Sequence, residues 1–548
     1  MKLIYTHPQS GHTRTNFPAP KITLAGLVTI LMIFVLCSNG FSQPAPTRLD
    51  SIIVFHQHAV GDMDSIAALR TIFSESEMTS FGTKGRSIYY CVSPDRYYEL
   101  TDLGYTSWCM GYDGDTVWFY RDRGPVTTGD PEDSAGVFND LYLECSLYLL
   151  GGNTYGHVEI RNDTVINEKK HYQLAMFPRY GDSLYGFIDV ESGLMDCYRN
   201  FVANHRTAEF LSDFRNVAGI KTAFHREYEL EGTERRVVQD ILVRKINEPV
   251  PDSIFSVPDL SSQSKKFRFV DGDDSAVVKF GMKKNWVIVP ARINGKNKCN
   301  FLLDTGASGC LITHKLAKKL GVETMGEATT DGIAGDVVYR FAEIDSVEMG
   351  GLVWYPGRIQ VIYGNEETGD IFRSIDGILG YDFFMDFPMR VDLDRRDIVL
   401  FDTTLANPAK PGTPVTIDLS HRVARKDMSL DGRPIRMLID LGANFEIFLY
   451  SNYRWFYKLA DDLRFNPPDA QAFGVGGHRP IKAGRADSLK FDGIYVDHPE
   501  VYIAPRPEGF KEVGGVEGLL GAEILTRYNL FIDYPDSKIY FDERQGKK

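Results

Sequence analysis

Positive charge is in short supply in this chain. Its 548 residues hold 61 Lys and Arg against 74 Asp and Glu, a formal net charge of -13. Phosphate binding needs a basic surface, so nucleic acid is excluded as a partner, and the acidity is read as serving solubility. Cysteine is also scarce, at seven. There is no C-x-x-C pair and no H-E-x-x-H, which removes the commonest zinc arrangements. The cluster His56-Gln57-His58 is too short for a metal site and is read as surface histidines. The reading therefore has no metal and no cofactor.

Long apolar runs are missing except near the N-terminus. Lys2, Arg14 and Lys21 precede an uncharged run from Ile22 to Cys37, long for a signal-peptide core and short for a membrane span. Gly40 and Ser42 are small residues two apart, as signal peptidase requires. Residues 1–42 read as a signal peptide, cleaved to leave Gln43 first, with a retained N-terminal anchor as the alternative. Leu36 before Cys37 is too bulky for lipoprotein processing. Export would place the protein in the periplasm or cell envelope, or outside the cell. It would permit disulfides among the six remaining cysteines, whose pairing the sequence does not reveal.

The length implies two to four domains. Residues 44–260 read as an antiparallel β meander with one helix against it. The helix is expected over "DMDSIAALRTIFSESE", where Ile66, Leu69 and Ile72 have helical spacing. Short strands follow, among them "SIYYCV", "TVWFYR", "HYQLAMF" and "DILVRKI", divided by turn signals such as "DGD" and "ESG". A polar bridge leads to residues 275–404. The spacer "ANPAKPGTP" (Ala406 to Pro414) then leads to residues 412–544.

The last two regions repeat one another. "ARINGKNKCNFLLDTGASGCLI" is matched by "MSLDGRPIRMLIDLGANFEIFL", each with a strand, a two-residue turn, a second strand and D-x-G-A. Gly295 to Asp304 is nine residues, and Gly432 to Asp440 is eight. Downstream, Ile378-Leu379-Gly380 is matched by Leu519-Leu520-Gly521, and each glycine stands twelve residues before an aspartate, Asp392 or Asp533. Between these landmarks lie glycine turns, "DGIAGD" with Gly332 and Gly335, and "FGVGGH" with Gly474, Gly476 and Gly477. "VDLDRRD" (Val391 to Asp397) reads as a hairpin tip. An acid at the end of an apolar strand, found twice, gives two carboxylates at equivalent places. Close together they cannot both be charged, so one keeps a proton to donate while the other activates water.

This order of motifs resembles the aspartic peptidases, with lobes close to the retropepsin type, over about Ser275 to Glu543. The resemblance implies a mainly β chain with two tandem retropepsin-like all-β lobes. It implies catalytic Asp304 and Asp440 paired within one monomer as an intramolecular pseudo-dimer, and an extended polypeptide as substrate. Thr305 would bond across the lobe interface, Ser308 would bond beside Asp304, and Gly306 and Gly442 would let backbone N–H groups meet the carboxylates. The glycine turns would be flaps. The N-terminal region resembles the periplasmic lipoprotein-carrier superfamily through "YGFIDVESGL", "FRNVAGIKTAF" and "INEPVPDSIFSVP". That implies an α+β half-barrel and a lipid or apolar ligand.

Lobe two departs from the pattern: Leu441 stands where lobe one has Thr305, and Asn444 where it has Ser308. Two readings remain open, an active asymmetric pair and a catalytically silent peptide- or lipid-binding protein. A third joins two copies of lobe one between chains.

Overall fold

A computed structural model describes residues 47–545, apart from 81–82, 105, 122–125, 130, 152, 203–204, 231–235, 259–265, 333–334, 364–373, 420, 451–470, 475–476 and 504–515. The expected signal segment and its cleavage site lie outside the described residues. The described chain is mainly β, as expected.

The N-terminal region is a 14-stranded antiparallel sheet built from two meanders. One runs from Thr71–Ser80 to Thr127–Thr128 and the other from Gly156–Ile160 to Arg236–Ile246. They join where Thr71–Ser80 pairs with Arg236–Ile246. The expected helix over 62–77 stops early. Asp62 caps a short helix, Met63–Ala67, by accepting from Ser65 N, and Thr71–Ser80 is a strand. Ile72, Ser74 and Ser76 are buried on one face. This period of two fits a strand paired on both sides, and it overrides the helical spacing of the three apolar residues. A longer helix, Pro131–Glu144, packs against the sheet.

His56 is not a surface histidine. It is 1% exposed and bonds to Gly193 O at 2.7 Å and Tyr148 OH at 2.9 Å. Burial, only partly offset by the Gly193 bond, lowers its pKa to about 4. The six cysteines after Cys37 are all buried as free thiols.

Each remaining region has its own sheet, of eleven strands in lobe one and eight in lobe two. A third sheet of six strands is shared. Its order is Ser275–Lys279, Asp397–Phe401, Met389–Asp392, then Tyr528–Asp533, Lys538–Glu543, Thr413–Thr416. The two halves mirror each other about the pairing of Met389 with Ile532 and Val391 with Leu530. "VDLDRRD" forms the hairpin tip expected of it. The proline-rich spacer ends in an edge strand, where Pro414 costs no ladder bond on its outer side. Lys410 of the spacer is fixed to Asp533 at 2.6 Å. One apolar core, including Phe301, Phe383, Phe384, Leu441, Leu530 and Ile532, runs through both lobes.

Candidate active site

The aspartates stand at the ends of equivalent strands. Asn297–Leu303 runs parallel to Gly377–Leu379, with Leu303 beside Leu379. Arg433–Asp440 runs parallel to Gly518–Gly521, with Asp440 beside Gly521. The apolar-apolar-Gly triplets are therefore the strands that hold the aspartate strands from the side. Gly380 and Gly521 have to be glycine, because a Cβ would lie 2.3 Å from Gly309 O or 2.2 Å from Phe445 O.

The structure brings Asp304 and Asp440 together. A Cβ on Gly306 would lie 2.5 Å from Asp440 Cγ, and one on Gly442 would lie 2.4 Å from Asp304 Cγ. Each D-x-G glycine thus makes room for the carboxyl of the other lobe. The two carboxyls are hydrogen-bonded to each other. Gly306 N donates to Asp304 Oδ1 at 2.9 Å. Asp440 Oδ1 accepts from Gly442 N at 2.7 Å and Ala443 N at 3.1 Å.

Both acids keep partial solvent access, yet enough protein surrounds them to shift their titration. Burial, then the charge of Asp440, raises the Asp304 pKa well above the usual carboxylate range. Burial also raises that of Asp440, against the N–H bonds that favour its anion. The pair holds a proton where free aspartates would hold none. Both acids accept N–H bonds from their own loops, and the bond between the carboxyls favours the acid on Asp304 and the anion on Asp440.

Thr305 is 1% exposed and crosses the interface, donating to Ile439 O at 2.7 Å and accepting from Leu441 N at 3.0 Å. Ser308 differs from expectation. It is exposed, its hydroxyl makes no bond to Asp304 among the described residues, and its backbone O accepts from Arg422 Nε at 3.0 Å. The glycine turns form hairpins in which Gly332 pairs with Gly335 and Gly474 with Gly477. Gly476 lies outside the described residues.

Several interlobe residues were not singled out from the sequence. Arg422 holds Asp382 at 2.5 Å as well as Ser308 O. Asn285 Nδ2 donates to Asn444 Oδ1 at 3.0 Å, and Trp286 Nε1 to Gly442 O at 2.8 Å. Asn285 and Arg422 each stand ten residues before the hairpin glycine, Gly295 or Gly432. Each reaches the residue four places after the other lobe's aspartate. Extending the repeat backward from the turn would have paired them, although their side chains share no type.

Residues 289–383 match the family model described as aspartyl protease. No curated protein matches the sequence. Among solved structures, a domain described as outer membrane lipoprotein-sorting from Vibrio parahaemolyticus is 11% identical, with 37% of this chain and 95% of that one covered and a TM-score of 0.28. A DUF1329 family protein from Desulfovibrio piger is 13% identical, with coverage of 38% and 96% and a TM-score of 0.26. A LolA superfamily protein from Nitrosomonas europaea is 11% identical, with coverage of 38% and 96% and a TM-score of 0.24.

Proposed function

We propose that the chain is an exported aspartic endopeptidase that hydrolyses extended polypeptides with one aspartate from each lobe and an activated water. The observation that carries this reading is the mutual fit of Gly306 against Asp440 and Gly442 against Asp304, which sets one carboxyl of each lobe beside the other. Asp440, the better anion, takes the proton of the attacking water. Asp304, protonated, donates to the substrate carbonyl oxygen as negative charge builds there. Asp440 then gives its proton to the leaving amine while Asp304 takes the hydroxyl proton, so the intermediate collapses and the pair returns to its starting state. Strand-like substrate backbone would lie between the two glycine hairpins, whose closure excludes water.

The shared six-stranded sheet supports pairing within one chain, and so a monomer. The leader and the N-terminal sheet suggest work in the cell envelope, with that sheet recruiting substrate through a lipid or an apolar segment.

The test is cleavage of an unfolded protein mixture from acid to neutral pH. Wild type should cut, and Asp304→Asn and Asp440→Asn should each lose about a hundredfold to ten-thousandfold in rate. Retained cutting by Asp440→Asn, with a dimeric mass in solution, would point to pairing between chains. Leu441 favours the second reading, a silent binding protein, and a wild type that never cuts would select it.

A further inference from the structure

Lobe two lacks the hydroxyl of Thr305 at Leu441, but it has gained one elsewhere. Leu393 and Tyr534 are repeat counterparts, each following the aspartate twelve residues beyond the triplet glycine. Thus the lobes carry inverted pairs, Thr305 with Leu393 and Leu441 with Tyr534. Tyr534 is 1% exposed, and its ring packs on Phe384 with centroids 5.0 Å apart and on Tyr381 at 6.0 Å. Its hydroxyl crosses to lobe one and donates to Thr305 O at 3.2 Å. Leu393 and Leu441 are both buried in the common apolar core, where a hydroxyl would have to find a partner.

The Thr305 carbonyl has a direct line to the chemistry. It belongs to the same planar peptide group as the Gly306 N–H, and that N–H donates to Asp304 Oδ1 at 2.9 Å. A bond accepted at the oxygen fixes the plane and polarises the group, which makes its N–H a stronger donor. The Thr305 side chain is already committed to Ile439 O and Leu441 N. The second fastening therefore comes from Tyr534.

We propose that Tyr534 is a positioning residue of the aspartate pair, holding the Thr305–Gly306 peptide against Asp304 in place of the grip that Leu441 does not provide. The kinetic part of the proposal rests on the peptidase reading, and the melting part does not.

The experiment uses the mature chain as wild type, Tyr534→Phe, Asp304→Asn and the double variant, melted from pH 3 to pH 8. Tyr534→Phe should lower Tm by an amount that changes with pH, and this loss should shrink by about half or more in the Asp304→Asn background. A loss that is constant with pH and equal in both backgrounds would make Tyr534 merely structural and overturn the proposal. With wild type cutting an unfolded protein, Tyr534→Phe should lose about tenfold in kcat with KM within about twofold, equivalent to one hydrogen bond. The alkaline limb of kcat/KM, set by Asp304 as the acid, should also move to higher pH. Unchanged kcat and an unmoved limb would again overturn it. A wild type that never cuts sinks the peptidase reading and leaves the melting comparison to decide Tyr534. Should Tyr534→Phe fail to fold, Leu441→Thr is added to it. Recovery of folding with pH-dependent melting supports the proposal, and no recovery overturns it.

Discussion

Carboxyl groups are hemmed in by protein both between the lobes and in the N-terminal region, with opposite results. Between the lobes, Asp304 and Asp440 face each other with no cation as a cause of their shifts, and burial pushes both toward the protonated form. In the N-terminal sheet, burial would push Glu144 up as well, but Arg226 and Arg244 outweigh it and hold its pKa at about 2. The contrast recurs on a single helix. Asp140 lies one turn before Glu144 on Pro131–Glu144. Burial and the neighbouring charges of Glu99 and Glu209 push it up to about 8, although Tyr97 donates to it at 3.0 Å. Burial sets the cost of a charge, and the neighbour decides whether the charge survives. The pair between the lobes has no cation among the causes of its shifts, whereas Glu144, which ties a helix to the sheet, has two.

The largest way to break this comparison is steric. Gly442→Ala puts a methyl 2.4 Å from Asp304 Cγ, so the carboxyls must part. Cleavage should fall by about a hundredfold to ten-thousandfold, like removal of an aspartate, while thermal melting of the N-terminal sheet stays in place. Next comes the ion cluster. Arg244→Met leaves Glu144 with one guanidinium, and urea unfolding of the N-terminal sheet should show a loss of about 3–5 kcal/mol.

A sharper version uses pH. Both active-site acids are raised in the folded state, so the folded lobes hold extra protons above the ordinary carboxylate pKa. That contribution is full below it and is lost as pH rises through the folded values. Asp304→Asn removes much of the loss, and the lobes should melt a few degrees higher than wild type at neutral pH. Glu144 has the reverse sign, since its contribution is present above 4.5 and is lost as pH falls toward about 2. Asp140 has the same sign as the active-site acids, and Asp140→Asn tests it. It should flatten the decline in stability of the N-terminal sheet between pH 4 and pH 8, the interval over which Asp140 shifts from 3.8 to about 8. A decline that persists in the variant would assign it to another group.

Much of the site was legible because it is local. D-x-G after an apolar strand describes a chain that turns at its own aspartate, and the bond from Gly306 N to Asp304 Oδ1 spans two residues. The triplet glycines were legible through the repeat. The helix expected over 62–77 failed because, of its three apolar residues, only Ile66 lies in the helix Met63–Ala67, while Ile72 lies in a strand that Arg236–Ile246 pairs with. Ser308 offers its backbone O, not its hydroxyl, to the site's surroundings, and the partner, Arg422, arrives from the other lobe.

By itself, the sequence determined that there are two equivalent lobes, each ending an apolar strand in an aspartate and a glycine, because these features depend on neighbours within a few residues. It also marked Leu441 as the weak point of the repeat. Only the tertiary structure decided what stands in for the missing hydroxyl, since Tyr534 meets Thr305 across 229 residues of chain. It likewise decided that Glu144 is an anion and Asp140 an acid. A side chain's charge and its partners follow from what other strands bring to it, and no local pattern records that.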